Sequence, residues 1–392
     1  GLYGDKAVAD APTTRAYDFV NADALATALV NQGDELVSPG GARYKALYLG
    51  GSSSKMTLAT LKRIAALVEG GATVVGAKPE GSPSLSGDAA EYAALTAKLW
   101  GGDGRVGKGR VINSGQIETA LDQIGVAPDF RFTGGQADTQ IPFIHRRFAD
   151  GDSYFLANRM DRTEVIEAHF RVTGKAPELW HAETGRSEPV SYRIENGETV
   201  VPLTLGSDDS VHVVFRKPAQ SAALVVNPPK SASLTTLDGP WNVAFEAGRG
   251  APATAVLPQL APLDHNADPG IKYFSGIATY SRSFTTPKGW KPGQPLTLDL
   301  GESREVAEVS VNGKLAGYAW HAPYRIDIGT AVKPGRNQIQ IRVANLWVNR
   351  LIGDAQPGAT KVTWTAMPTY RADAPLRRSG LIGPVRLLTQ GK

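Results

Sequence analysis

Aromatic and polar side chains gather in two short runs near the end of the chain, Trp320 to Arg325 and Asn345 to Arg350. Flat aromatic faces beside planar donors and acceptors can stack on a sugar ring and recognise its hydroxyl groups. Both runs therefore predict carbohydrate contact. The candidate contact residues are Trp320, His321, Tyr324, Trp347, Asn349 and Arg350. The alternative interpretation is the packed edge of a β-sandwich, because tryptophan and tyrosine also fill protein cores.

Three carboxylates, Glu302, Glu305 and Glu308, surround the start of one predicted strand. Glycoside hydrolysis generally uses two carboxyl groups, about 5–5.5 Å apart for retention of configuration and about 6.5–9.5 Å apart for inversion. Sequence does not fix these distances. Alternation along the strand places Glu308 on the face opposite Val309 and Val311, which favours a solvated face over a catalytic pair. No catalytic residue is assigned in this chain.

Other motifs argue against nucleotide, thiol and metal chemistry. The run Gly102 to Gly107 matches the dinucleotide fingerprint, but a predicted helix precedes it and a strand follows, which reverses the required order. Cysteine is absent and the six histidines form no metal-binding pattern, so we expect no cofactor or metal in this chain. A weaker hypothesis makes Ser52 to Ser54 a nucleophilic turn with His145 as base, although the run lacks the G-x-S-x-G spacing.

Residues 1–140 show the alternating helix and strand signals that are typical of a parallel sheet. Thr57 can cap an amphipathic helix, and Ala72 to Val75 follow as a buried strand. The pattern recurs around helices that Asn21 and Ser114 can cap. We therefore predict an open α/β domain of the flavodoxin or glutamine-amidotransferase type. Without cysteine as a nucleophile, it would be a scaffold rather than an active site.

From residue 141 the apolar period changes to two, which indicates strands with one buried face. Asn196-Gly197, between two such strands, predicts a type I′ hairpin turn. We expect residues 141–217 to form a small β-sandwich and residues 218–233, with three prolines, to form a linker. Residues 234–392 are predicted to form a second sandwich of jelly-roll type.

The chain has 392 residues, of which 42% are apolar and 20% charged, and its formal charge is +4. Hydrophobic cores stop growing near about 250–300 residues, so the length predicts a multidomain α/β plus all-β protein. The small charge argues against a nucleic-acid partner, and no apolar run reaches the roughly 18 residues of a membrane span. The first residue, glycine, indicates a mature, cleaved or excised piece. We expect a periplasmic or secreted location.

Several runs resemble the α-L-rhamnosidases of glycoside hydrolase family 106. Some resemble the α/β module that follows the family's barrel: Val68 to Gly76, Ser82 to Leu85, Leu99 to Gly101, Gly125 to Phe130, Ile144 to Arg147 and Phe170 to Trp180. Others resemble its galactose-binding-like terminal sandwich, itself similar to the sugar-binding domain of family 2 glycosidases: Asp268 to Gly276, Val311 to Gly313, Asn345 to Asp354 and Ser379 to Val385. The run from Trp347 is the most specific, and it adds Asp354 to the candidate contacts.

The resemblance implies an inverting enzyme that removes terminal α-L-rhamnose from glycosides or pectic glycans. It places the catalytic glutamates and a calcium ion in a barrel domain N-terminal to every residue of this sequence, which lacks that barrel. The leading hypothesis is that the chain is the C-terminal accessory portion of such an enzyme, bracing the barrel and lining the rim of its sugar site. The expected partners are that barrel and a rhamnose-containing glycoside or glycan. The alternative is a non-catalytic carbohydrate-binding protein.

Overall fold

A computed structural model describes residues 10–51, 53–227 and 231–390. The chain is rich in β-strands, which form several separate sheets, and it has few helices. The described residues divide into two compact units. The first holds residues up to 158, 165–204 and 210–225, and the second holds 159–164, 205–209 and the residues from 226 onward. None of the helices in the described part of the chain has the length and hydropathy of a membrane span.

The first unit begins with helices and short strands. In chain order they are α1 (Ala22–Thr27), β1 (Val30–Gln32), β2 (Glu35–Val37), β3 (Arg43–Tyr44), β4 (Leu47–Tyr48), α2 (Leu58–Gly70), β5 (Thr73–Val75), α3 (Ala89–Trp100), β6 (Arg105–Val106), β7 (Gly109–Ile112) and α4 (Ile117–Gln123). One sheet has the order β4-β5-β7-β6, in which β4, β5 and β7 are parallel and β6 is antiparallel to β7. Leu61 and Ile64 of α2 share a core with Val74 and Val111 of this sheet.

Side-chain caps explain where these helices begin. The Oδ1 of Asn21 accepts a hydrogen bond from the amide three residues on at 2.8 Å, and the Oγ1 of Thr57 does the same at 3.3 Å. Both predicted caps are confirmed. The predicted Ser114 cap is wrong, because α4 begins after Gln116 and the Ser114 hydroxyl accepts from the Gln116 amide at 3.0 Å. The serine instead closes a turn ahead of the helix.

The first unit continues as two antiparallel sheets. Their strands are β8 (Phe130–Gly134), β9 (Phe143–Arg147), β10 (Asp152–Ala157), β11 (Glu164–Phe170), β12 (Lys175–His181), β13 (Arg186–Pro189), β14 (Tyr192–Glu195), β15 (Glu198–Leu205), β16 (Ser210–Pro218) and β17 (Ala223–Leu224). The sheet orders are β13-β12-β16-β10-β9 and β17-β14-β15-β11-β8. Phe170 of the second sheet lies 4.9 Å from Tyr154 and 5.3 Å from Phe215 of the first, measured between ring centroids. The core therefore lies between the two sheets.

Two local features of this sandwich bear on the sequence analysis. Asn196 and Gly197 have φ values of +50° and +81° and join β14 to β15, which confirms the predicted hairpin turn. Residues 218–233, expected as a linker, include β17, which pairs with β14. Strand β8 pairs with β11, so this sandwich includes a strand ahead of residue 141. The four predicted domain boundaries themselves stay a prediction.

The second unit is built mainly from strands. They are β18 (Ser231–Thr236), β19 (Trp241–Phe245), β20 (Thr254–Leu257), β21 (Ile277–Thr285), β22 (Thr297–Asp299), β23 (Glu302–Arg304), β24 (Val306–Val311), β25 (Lys314–Ala319), β26 (Arg325–Asp327), β27 (Arg336–Ala344), β28 (Gly380–Gly383) and β29 (Arg386–Gln390), with two short helices, α5 (Pro269–Lys272) and α6 (Val348–Asp354). The main sheets have the orders β18-β29-β22-β26 and β20-β19-β21-β27-β24-β25. Leu298 and Leu387 of the first and Trp241 and Ile341 of the second are fully buried in one core.

Candidate functional site

Trp320 and Trp347 follow strands that end at the same end of the six-stranded sheet. Ala307 of β24 pairs with Ala319 at the end of β25 and with Val343 near the end of β27. The residues after β25 and β27 therefore leave the sheet together, two strand spacings or about 10 Å apart. The two predicted aromatic runs, which are separated in sequence, start from one end of the sandwich.

Both tryptophans present their rings to solvent. Trp320 is 62% exposed and Trp347 is 60% exposed, although residues of this size usually bury most of their surface. The His321 ring stands edge-on to Trp320 with 4.6 Å between centroids, and its Nδ1 lies 2.6 Å from the carbonyl oxygen of Ala322. The two tryptophans keep the exposure that carbohydrate contact requires, and His321 is partly exposed. Such contact stays a prediction for all three.

Tyr324 does not share this exposure. It is 5% exposed and belongs to the core between the two sheets of the second unit. Its carbonyl oxygen accepts from the Leu300 amide at 2.9 Å, which joins the two segments of the sandwich. Burial raises the pKa of its phenol. The packed-core interpretation therefore applies to Tyr324, and this side chain supports the sandwich from inside.

Asn349, two residues after Trp347, is buried, with 1% of its surface exposed. Its side-chain amide donates to the carbonyl oxygen of Arg377 at 2.6 Å and accepts from the Arg377 backbone amide at 2.8 Å. The side chain therefore makes the two hydrogen bonds to one residue's backbone that a residue on a neighbouring strand would make. Asn349 therefore fixes the segment around Arg377, and its polar atoms do not face a ligand.

Arg350 and Asp354 form a buried ion pair on α6, with 3.0 Å between Nε and Oδ1. They are 6% and 8% exposed. Asp354 also accepts from the Val362 amide at 3.1 Å, the Thr363 amide at 2.8 Å and the Thr363 hydroxyl at 2.5 Å. Burial opposes ionisation, but the bonds from Thr363 and Val362 and the Arg350 charge hold the pKa of Asp354 below its usual value. The pair anchors the long segment after α6, so its predicted sugar contact is not supported by its position.

Two of the three carboxylates around β24, Glu302 and Glu308, are paired with arginines. Glu302 receives two bonds from Arg378, at 2.9 and 2.7 Å, and one from Arg304 at 3.1 Å. These partners, Arg378 first, lower the pKa of Glu302. Glu308 pairs with Arg342 of the neighbouring strand at 2.7 Å. A glycosidase acid needs a raised pKa, so the lowered pKa of Glu302 agrees with the solvated-face interpretation.

His145, the base of the weaker serine hypothesis, has both ring nitrogens engaged. Its Nδ1 lies 2.8 Å from Asp129 Oδ2 and its Nε2 lies 3.1 Å from Asp152 Oδ1. The ring stacks on Tyr154 with 4.0 Å between centroids. Ser52 lies outside the described residues. A base whose nitrogens both contact carboxylates cannot also activate a serine in this geometry, which argues against the hypothesis.

Among the described residues, one cavity of about 390 Å³ lies on the first sandwich, and another of the same volume lies beside β18 and β21. Neither is lined by an aspartate or a glutamate. In residues 10–51, 53–227 and 231–390, no group of three or more His, Asp or Glu side chains could hold a metal ion. These cavities therefore do not offer the facing carboxylates of a glycosidase centre.

Sequence reasoning missed two exposed side chains and one partly exposed one. Trp364 and Met367 are 84% and 75% exposed on the long segment that Asp354 anchors. Trp180 is 37% exposed on β12. Alternation along that strand gives Trp180 the face opposite Leu179, and this signal could have identified it. No periodic signal exists for Trp364 and Met367, because their segment has no regular structure.

Comparisons with known proteins agree with this geometry. Residues 1–194 match the model of glycoside hydrolase family 106, described as alpha-L-rhamnosidase. The structure of a rhamnosidase from Novosphingobium sp. PP1Y is 60% identical, with a TM-score of 0.78, and the match covers 97% of this chain and 37% of that chain. A Formosa agariphila protein named "Putative beta-glucuronidase" is 23% identical, over 95% of this chain and 52% of that protein.

The chain spans only about a third of the rhamnosidase structure and about half of the curated relative. The likeness to the rhamnosidase nevertheless extends over nearly all of this chain at high identity. The family model matches residues 1–194. The likeness to the rhamnosidase structure continues beyond residue 194, as the resemblance noted in the sequence does. The chain therefore contains a family 106 rhamnosidase-like region: residues 1–194 match the family model, and nearly the whole chain is similar to a rhamnosidase of known structure.

Proposed function

We propose that this chain is the C-terminal accessory portion of an inverting α-L-rhamnosidase that acts on terminal α-L-rhamnosides. The catalytic carboxylates would lie in a barrel domain N-terminal to it, and the calcium ion that the resemblance implies would be bound there too. The observation that carries the proposal is the rhamnosidase match, which covers nearly all of this chain but leaves 63% of that protein outside it, since 37% is covered.

The side chains of the second unit give this accessory role a physical basis. Asn349, Arg350 and Asp354 use their polar atoms on backbone groups and on each other, so they stiffen the end of the sandwich from which Trp347 projects. Rigid support beneath an exposed aromatic ring reduces the entropy lost when a sugar stacks on it. Trp320, His321 and Trp347 would then line the rim of the sugar site without supplying the chemistry.

The finer architecture belongs to the same proposal. We infer that the second unit is a galactose-binding-like jelly roll and that the parallel sheet β4-β5-β7 belongs to an amidotransferase-like scaffold. The antiparallel sandwich and the three parallel strands support these assignments. A periplasmic or secreted location is also proposed.

The test compares this chain with the full-length protein that carries it. We expect the chain alone to leave 4-nitrophenyl α-L-rhamnoside intact and the full-length protein to hydrolyse it. NMR of the first product should show the β-anomer of rhamnose, because inversion changes the anomeric configuration. Turnover by the chain alone would contradict the accessory role, and an α-anomer would contradict inversion.

The rim contact needs a separate measurement. In the full-length protein, Trp320→Ala and Trp347→Ala should raise KM for an oligosaccharide by about 3- to 30-fold with kcat nearly unchanged, because lost stacking removes binding common to substrate and transition state. Leu315→Ala at the opposite end of β25 is the control. Unchanged KM in both tryptophan variants would remove these residues from the site.

A non-catalytic carbohydrate-binding protein is the alternative function. The two exposed tryptophans at one end of the sandwich favour it as much as they favour a rim. Calorimetric titration of the isolated chain with rhamnose-containing oligosaccharides separates the two. Heat of binding that Trp347→Ala abolishes, in a full-length protein that does not hydrolyse rhamnosides, would support the alternative over the accessory role.

A further inference from the structure

The cavity on the first sandwich lies on the outer face of the sheet β13-β12-β16-β10-β9 of the first unit. Side chains alternate between the two faces of the sheet along each strand, and those on the outer face can line the cavity. On β16, Val213 and Phe215 point into the sandwich and are fully buried, so His212 and Val214 point outward. The cavity has a volume of about 390 Å³, which lies within the range of ligand pockets.

A row of flat rings crosses this face. Trp180 of β12 lies opposite His212 of β16, and His212 lies opposite Phe155 of β10. The rings of Phe155 and His212 are 5.0 Å apart between centroids. Phe148, which is 55% exposed, also lines the cavity. Aromatic faces open to solvent in a concave surface offer stacking surface for a pyranose ring.

Basic side chains line the cavity, while outside its lining Glu178 accepts a hydrogen bond from the Trp180 indole Nε1 at 3.3 Å. Arg216 places its guanidinium 5.6 Å above the Trp180 ring and pairs with Asp150 at 3.0 Å. His181 contacts Glu188 at 3.0 Å. Arg186 also lines the cavity, and its guanidinium makes no ion pair within the residues that the structure describes. The lining contains two arginines and two histidines and no carboxylate.

We propose that this cavity is a carbohydrate site and that it binds a saccharide bearing a carboxylate. The sugar ring stacks on Trp180, and the carboxylate accepts hydrogen bonds from Arg186. Guanidinium groups match the planar geometry of a carboxylate and bind it through two parallel bonds. His181 and His212 offer further polar contacts for ring hydroxyls. The site would hold a neighbouring acidic sugar of a glycan while another domain cleaves it.

Calorimetric titration of the full-length protein with trigalacturonate tests this site. Binding is expected, and it should weaken as salt is added because part of the attraction is between charges. Trp180→Ala and Arg186→Gln should each weaken it at least about tenfold, whereas Trp180→Phe keeps a flat face and most of the affinity. The matched control for the arginine is Arg105→Gln, a substitution at an exposed arginine outside the cavity.

The methyl ester of trigalacturonate keeps the rings and removes the charge, so it should bind at least about tenfold more weakly. Equal binding of the ester would overturn the assignment of a carboxylate. Absence of binding, together with a lowered Tm of the full-length Trp180→Ala variant, would instead show that another domain covers this face and would also overturn the proposal. Hydrolysis of 4-nitrophenyl α-L-rhamnoside should be unchanged in Trp180→Ala, so the result does not depend on the proposed function.

Discussion

Two aspartates, one in each unit, are both buried and both have a lowered pKa, but they stabilise different kinds of structure. Asp129 is 4% exposed and Asp354 is 8% exposed, and neighbouring hydrogen-bond donors lower the pKa of both against the effect of burial. Asp129 accepts from His145, Tyr154 and Arg171, which belong to or follow three different strands. It therefore cross-links a sheet sandwich through side chains that are distant in sequence.

Asp354 contacts groups within nine residues of itself, and two of them are backbone amides. It holds a segment without regular structure to the end of α6. The comparison shows that a cluster of Asn, Arg and Asp beside tryptophan can be a loop anchor even where its composition resembles a sugar site. What distinguishes the two roles is whether the polar atoms already have backbone partners.

The largest expected effect is that of Asp354→Ala. The substitution leaves Arg350 buried and unpaired and frees two backbone amides, so the free energy of unfolding should fall by about 3–5 kcal/mol. Urea unfolding of the chain measures the loss, and hydrogen exchange should speed up first at Val362 and Thr363. Asp373→Ala removes an exposed pair with Arg371 and should cost less than about 1 kcal/mol. Equal effects of the two substitutions would contradict the anchor.

Asp129→Asn should have the second largest effect. Asparagine keeps the shape but weakens the charge-assisted bonds from His145 and Arg171, which we expect to cost about 2–3 kcal/mol. The matched control is Asp103→Asn, at an exposed pair 3.8 Å from Arg105. Urea unfolding followed by tyrosine fluorescence reports the change. A loss as small as that of the control would show that the strands hold together without this carboxylate.

The pH dependence of the unfolding free energy tests whether the pKa of these aspartates is lowered. Both aspartates have a folded pKa below the ordinary value of 3.8, so the stability they contribute is present above about pH 4 and is lost as pH falls through the folded pKa. Each linked proton changes the free energy of unfolding by up to about 1.4 kcal/mol per pH unit. Between about pH 4 and 2, the unfolding free energy of Asp129→Asn should therefore fall less steeply than that of the unsubstituted chain. Parallel slopes would contradict the lowered pKa.

Local rules predicted much of the fold. The caps at Asn21 and Thr57, the hairpin at Asn196-Gly197 and the buried strand within Ala72 to Val75 depend on residues close together in sequence. These patterns are set by backbone geometry and period, which do not require tertiary contacts. They were accordingly correct to within a few residues.

The candidate site was predicted less completely, and for a tertiary reason. The exposure of Trp320 and the burial of Tyr324 depend on where the five-residue stretch from Trp320 to Tyr324 meets the core, and composition does not encode this. The backbone partners of Asn349 and Asp354 lie on a segment whose path has no periodic signal. Alternation along β12 could have revealed Trp180 as an outward ring, but only its place in the sheet shows the histidine and phenylalanine beside it.

The smallest expected effect on stability is that of Glu302→Gln. The same substitution also tests whether this chain contains a catalytic carboxylate. The exposed Arg378 partner makes this a surface ion pair, so the substitution should cost less than about 1 kcal/mol in urea unfolding. In the full-length protein, kcat for 4-nitrophenyl α-L-rhamnoside should change less than about twofold, because the arginines keep this carboxylate ionised and occupied. Glu308→Gln, which breaks the pair with Arg342, is the matched control. A loss of kcat of about a thousandfold in the Glu302 variant alone would place a catalytic acid in this chain and contradict the accessory role.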